Sequence, residues 1–147
     1  MYPGDDHPLA THAAVVASGP APSDGVIAVG SLLPEDPPAW LAEEARGSLG
    51  ALEARPRWWR IRGMATAGAH RGQGLGAGVL GTLLERIAEQ GGGAVWCNAR
   101  VRAVPFYLRA GFHPAGAVFV LPDIGPHQAM WRAVARGWDT DASARVP

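Results

Sequence analysis

The stretch Arg71-Gly72-Gln73-Gly74-Leu75-Gly76 decides the reading of this 147-residue chain. It carries no apolar side chain before Leu75. An apolar, strand-like run from Trp58 to Ala65 precedes it. A segment of helical period follows, Leu75 to Gln90, with Leu75, Val79, Leu80, Leu83, Leu84, Ile87 and Ala88 on one stripe. A strand that feeds a bare-backbone loop, which in turn opens a helix, is suited to holding phosphate oxygens. Glycine lets the main chain approach closely, and the N–H groups of a helix's first turn point at the anion with the helix dipole behind them. The arrangement implies a phosphate-bearing small-molecule ligand.

The length predicts a single domain, residues 1–147, with an irregular start over 1–10, a core over 11–135 and a tail from 136 onward. Nearly half the residues are apolar (48%) and mean hydropathy is +0.01, which fits an ordinary globular chain. Formal net charge is zero, so no electrostatic footprint points to nucleic acid or an anionic membrane. No apolar run approaches the roughly 18–20 residues of a membrane span, and Met1-Tyr2-Pro3-Gly4-Asp5-Asp6 lacks the basic and apolar parts of a signal peptide. A cytoplasmic location is expected. The one cysteine, Cys97, argues against an internal disulfide and a cysteine-cluster metal site, and no metal is expected. All 13 basic residues are arginine, which removes lysine-based catalysis.

The remaining elements follow from turn chemistry and period. His12–Ala17 and Val26–Leu33 read as a hairpin across a turn at Pro20–Gly25. Ala39 to Ala54 reads as a helix through Trp40, Leu41, Ala45, Leu49 and Leu52, weakened by Gly47 and Gly50. Gly63 inside the Trp58–Ala65 strand points to a bulge or to close approach of another backbone. Gly91-Gly92-Gly93 ends the long helix, and Ala94–Asn98 reads as a buried strand. A short helix from about Arg102 to Ala110 tolerates Pro105 in its first turn and stops at Gly111. Ala117–Leu121 and Gln128–Val134 read as the last strands.

Three glycine motifs compete for the phosphate loop. The nucleotide P-loop requires a Gly-Lys-Ser/Thr end, which a chain without lysine lacks. A G-x-G-x-x-G pattern occurs at Gly76, Gly78 and Gly81, but inside the helical stripe, and no acidic residue follows about 20 residues on. The third is Arg/Gln-x-x-Gly-x-Gly/Ala, met by Arg71, Gly74 and Gly76. Here the chain resembles the GCN5-related N-acetyltransferase (GNAT) superfamily over roughly His12 to Arg132. Arg62-Gly63-Met64-Ala65 resembles the superfamily's pantetheine-binding strand. Phe106-Tyr107-Leu108-Arg109-Ala110-Gly111-Phe112 resembles its downstream helix-and-turn signature. Two motifs in order, separated by helix, strand and helix, are far more specific than six loop residues alone.

The resemblance implies an α/β fold, with a mixed, mostly antiparallel sheet flanked by helices and two strands splayed at the acyl-CoA site. It implies acetyl-CoA as donor and a small-molecule amine as acceptor, without a metal. The pyrophosphate would sit on Gly72, Gln73, Gly74, Leu75 and Gly76, with Arg71 either pairing the phosphates or bracing the loop. The pantetheine arm would add as a strand along Met64, Ala65 and Thr66, and the oxyanion would meet a main-chain N–H of Met64 or Ala65. Tyr107 matches the family's general acid at the departing thiol; read alone, it could equally be a core tyrosine. His127, after Pro126, is the best candidate for a base; His12, His70 and His113 are weaker, and Glu35 or Asp36 could act through water. The family's asparagine lies seven residues before the tyrosine, a place held here by Arg100, which puts a cofactor role for Asn98 in question. The family's opening strand and helices do not precede the hairpin. An upstream start, Ala39–Ala54 as a replacement wall, or a homodimer partner would each supply them. Against an active acetyltransferase stands the alternative of a CoA-binding module with a regulatory role.

Overall fold

The computed structural model describes residues 7–16, 26–49, 55–66 and 74–137. Among these, the chain runs β1 (Thr11–Val16), β2 (Val26–Pro34), α1 (Ala39–Leu49), β3 (Trp58–Thr66), α2 (Leu75–Glu89) and β4 (Gly93–Arg100). A 3₁₀ turn over Val101–Ala103 then leads into α3 (Val104–Arg109), β5 (His113–Leu121) and β6 (Gly125–Val134). The strands form one sheet in the order β1-β2-β3-β4-β6-β5. Every neighbouring pair is antiparallel except β3 and β4. The mixed, mostly antiparallel sheet is as expected.

Two apolar layers hold it. Val79, Leu80, Leu83, Leu84, Ile87 and Ala88 of α2 pack with Leu32, Trp59, Ile61, Val95, Cys97, Tyr107, Phe112 and Met130 on one face. On the other face Leu41 and Ala45 of α1 cover Trp58, Ala94, Trp96, Ala115, Ala129 and Trp131. The strand alternation therefore assigns Trp96, Ala129 and Trp131 to the α1 face and Cys97 and Met130 to the α2 face. The α1 helix forms the predicted Ala39–Ala54 helix as far as Leu49; residues 50–54 lie outside the described residues.

Some edges differ from the sequence reading. Strand β5 begins at His113 rather than Ala117, because Pro114 lies on an edge strand and Gly116 (φ +69) carries an irregularity in the pairing with β6. The Cβ of any other residue at Gly116 would lie 2.8 Å from the Trp40 ring, so α1 is seated by an aromatic side chain over a bare backbone. The turn between β5 and β6 is also shorter than expected, since β6 begins at Gly125.

The Gly63 bulge is present. Pairing runs Val29↔Ala65 and then Ser31↔Arg62, so Gly63 (φ +70) and Met64 together face Gly30. Gly30 is itself buried, and an added Cβ would collide with Met64 Sδ and lie 3.0 Å from Val79 and 3.2 Å from Leu83. Gly30→Ala should therefore cost about 1–2 kcal/mol, the low end of overpacking because a thioether can yield. A urea midpoint equal to that of the parent protein would show that the bulge has room to spare.

Candidate functional site

The parallel pairing of β3 with β4 is confined to Trp58↔Ala94, Trp59↔Val95 and Arg60↔Trp96. Beyond these rungs β3 continues to Thr66, held only by β2 through Ala28, and β4 continues to Arg100, held only by β6 through His127. The two strands thus open into a V whose arms carry main-chain groups unpaired across the gap.

Cys97 is the first β4 residue past the last rung, and it lies in the same buried cluster as Tyr107. Both side chains are buried, at 2% and 5% exposure. The Tyr107 ring stands edge-on to Phe106 (centroids 5.1 Å apart) and to Phe112 (5.2 Å). Its place follows from how α3 ends. Phe112 N–H donates to Tyr107 O (3.0 Å) and Gly111 N–H to Leu108 O (3.0 Å), with Gly111 at φ +86. That is a Schellman stop, with its expected apolar contact between Tyr107 and Phe112. Arg132 Nη1 donates to Ala110 O at 2.6 Å, setting a cation against the helix C-terminus. The spacing Tyr-x-x-x-Gly-Phe therefore fixes the phenol at the vertex of the V on the α2 face.

The mouth of the V on that face is built from glycine. Gly74 opens α2 in the left-handed region (φ +77, ψ 6) without a side-chain cap. The first α2 bond, Gly78 N–H to Gly74 O (3.1 Å), leaves the N–H groups of Leu75, Gly76 and Ala77 without an intrahelical acceptor. A Cβ at Gly76 would stand 3.4 Å from Thr66 Oγ1 and 3.5 Å from Phe106, so β3, α2 and α3 approach closely at this glycine. Met64 packs against the α2-face core. Arg71, Gly72 and Gln73, together with His70, lie outside the described residues.

The α1 face presents other groups. Asn98 is half-buried there, aligned with Trp96 and opposite Ala129. His127, opposite Arg100, is buried, bonded through Nδ1 to Gly125 O (2.8 Å) and stacked on Phe119. Tyr107 thus lies on the α2 face of the sheet, and His127 on the α1 face of β6, one strand removed from the gap. His12 is exposed and bonds Ser31 Oγ at 2.8 Å, while His113 is exposed beside Trp131. Glu35 accepts from Arg60 Nη1 at 2.7 Å, Arg60 lies over Trp96 (4.6 Å), and Trp96 Nε1 donates to Glu35 O (2.9 Å). This unit, unanticipated from sequence, braces the last rung; its members come from three separate segments, so no local pattern announces it. Asp36 is exposed. Among the described residues no group of three His, Cys, Asp or Glu could hold a metal, and no helix is long and apolar enough to cross a membrane.

Burial pushes the Cys97 thiol up to about 12 and raises the Tyr107 phenol well above its ordinary value. An unfolded thiol ionises near 8.5. The folded state therefore keeps a proton that the unfolded state loses, and stability present below about pH 8.5 declines as pH rises toward 12. Urea midpoints from pH 7 to 11 should fall less steeply in Cys97→Ala, by up to about 1.4 kcal/mol per pH unit. Equal slopes would mean that the thiol gains solvent access in the folded protein.

The family described as acetyltransferase (GNAT) domain matches residues 33–125. The chain belongs to the GNAT family. The match spans the V, the glycine-opened helix and the Tyr107 turn together. This GNAT domain is 37% identical over 76 residues to a Bacillus subtilis protein described as the uncharacterized N-acetyltransferase YitI, covering 52% of the chain and 51% of that protein. It spans about half the length of that curated relative. Among solved structures, Escherichia coli ElaA aligns with a TM-score of 0.54 at 22% identity, over 75% of this chain and 62% of that one. An aminoglycoside 6'-N-acetyltransferase complexed with coenzyme A aligns with a TM-score of 0.60 at 12% identity, over 90% of this chain and 77% of the other. At these identities the structural likenesses establish the GNAT fold.

Proposed function

We propose that the chain transfers an acetyl group from acetyl-CoA to a primary amine by direct attack at the gap between β3 and β4. The observation that carries this reading is the Tyr107 phenol, buried on the α2 face beside Cys97, where β4 parts from β3. The free edge of β3 past Arg60 can accept the pantetheine arm as an added strand along Met64, Ala65 and Thr66. The acceptor-free N–H groups of the first α2 turn, with Gly74, Gly76 and the adjoining Arg71, Gly72 and Gln73, suit the pyrophosphate. The solved relative that holds coenzyme A in the same fold supports that ligand.

The amine nitrogen attacks the thioester carbon, the oxyanion meets a main-chain N–H of Met64 or Ala65 beside the Gly63 bulge, and the C–S bond then breaks. Tyr107 supplies a proton to the departing sulfur; burial raises its pKa above the ordinary phenol value, so the hydroxyl is protonated at neutral pH when the thiolate leaves. The amine's surplus proton leaves on the α1 face, where His127 is the candidate base and Asn98 and Arg100 border the opening. Acyl transfer thus divides its two protons between the two faces. The protein works as a cytoplasmic enzyme on a small amine, as a monomer or a homodimer; light scattering reads the oligomeric state.

Thiol release from acetyl-CoA with a panel of primary amines tests the reading. Turnover on at least one amine is expected. Thermal stabilisation by acetyl-CoA with no turnover on any of them would overturn it in favour of a CoA-binding module.

A further inference from the structure

Exposed large apolar side chains are not scattered over this surface. Among the described residues they are Trp40, Val101, Leu108, Val118, Val120 and Ile124, and all but Val101 gather at β5. Val118 (54% exposed) and Val120 (71%) lie on the strand, and Ile124 (56%) lies in the turn that follows it. Leu108 belongs to α3, which packs on β5, and the Trp40 ring rests on Gly116 of the same strand. Strand β5 ends the sheet, so among the described residues no strand pairs with its outer main-chain groups. Pro114 and the irregularity after Ala115 blunt its first half. The second half has no such device. Phe119, Val120 and Leu121 are regularly paired to β6, and no residue from Pro114 to Pro122 carries a charge.

We propose that this chain forms a homodimer in which the β5 edges of two copies pair antiparallel about a two-fold axis at Phe119. The alternation along the strand sets the register. Phe119 stacks on His127 and packs on the α1 face, so Val118 and Val120 both point to the opposite face. Centring the pair on Phe119 puts Val118 of each copy opposite Val120 of the other, two identical β-branched contacts on one face. Charge selects a second copy as the occupant. The edge is neutral, so two copies meet there without like charges, whereas a nucleic acid, an anionic membrane or a charged peptide finds no counter-charge on it. Formal net charge is zero as well, so no overall repulsion opposes the approach of a like molecule. The inference names the surface of the homodimer and does not depend on the transfer reading. Its test reads mass rather than turnover, so either can fail while the other stands.

The test is sedimentation velocity of the full chain over a concentration range reaching about 100 μM, where a contact of modest area is populated. The parent should move from the 15.4 kDa mass of the chain toward twice that value as concentration rises. Val120→Glu and Val118→Lys should each weaken the dimer at least about tenfold, because each buries a charge against valine across the axis. Both positions are exposed in the single chain, so melting temperatures at low concentration should match the parent's. An equimolar mixture of the two variants should recover the doubled mass, since the introduced ammonium of one copy then faces the introduced carboxylate of the other. A parent that stays at the chain mass throughout would overturn the inference, whether the edge is bare or taken by another protein. So would a dimer that survives both single substitutions, or a mixture that stays monomeric.

Discussion

Tyr107→Phe is expected to lower turnover by about 10²-fold, the lower end of what a positioned general acid contributes. Acetyl-CoA affinity should stay within about twofold, since the proposed donor site uses main-chain groups of β3 and α2 rather than the phenol. The fold should survive. The ring remains between Phe106 and Phe112, and the Schellman bonds that end α3 come from the main chain and ignore the hydroxyl. The hydroxyl removed is a single buried polar group, so the cost to stability should be about 1 kcal/mol. Isothermal titration with CoA beside a thiol-release assay separates the two effects. A rate equal to the parent's would take Tyr107 out of the mechanism; a lost affinity with the rate preserved at saturation would make it a binding residue.

Gly93→Ala should have the largest effect on stability, at least about 3 kcal/mol, from positive-φ strain together with a backbone collision. Gly93 sits at φ +139, and its Cβ would strike the carbonyl oxygen of Arg57. That oxygen accepts the N–H of Ala94 at 2.9 Å, the bond that starts the parallel register of β3 with β4. No flexible side chain can move aside, since the obstacle is main chain. With so few rungs in this pairing, loss of the first loosens the vertex as a whole. For a chain of this size the melting temperature should drop by about 10 °C. Gly47→Ala is the matched control. Gly47 is exposed in α1 with nothing within 4 Å of an added Cβ, and alanine there should stabilise by up to about 1 kcal/mol. If both substitutions proved neutral, the seam would be far more pliant than its geometry implies.

Much of the molecule was legible because local chemistry dictated it. The α2 stripe, the Gly63 bulge and the Gly111 stop each announce themselves within a few residues, and each is found. The start of β5 was not, because Pro114 and Gly116 read as breakers until an edge strand and the Trp40 ring explain them. The glycine loop and the Tyr107 turn pointed to the family by their order along the chain. What that order could not convey was depth. That Tyr107 shares a buried cluster with Cys97, ten positions back on another element, and that Glu35 holds Arg60 and Trp96, depends on strand register and sheet order. His127 lies on β6 beside Phe119 of β5, and its burial and its bond to Gly125 O are products of the β5–β6 turn.

The short seam between β3 and β4 divides the sheet into two half-sheets, β1-β2-β3 and β4-β6-β5, tied to each other at one end. A ligand lying along the free edge of β3 and reaching the β4 side would act as a strand supplied in trans. Folding strength would then depend on donor supply: at a hundredfold excess over its dissociation constant, the donor would add about 2.7 kcal/mol. Amide exchange should slow across both half-sheets together, not in the glycine loop alone. In a cell short of acyl-CoA, the same chain would be the easier target for proteolysis.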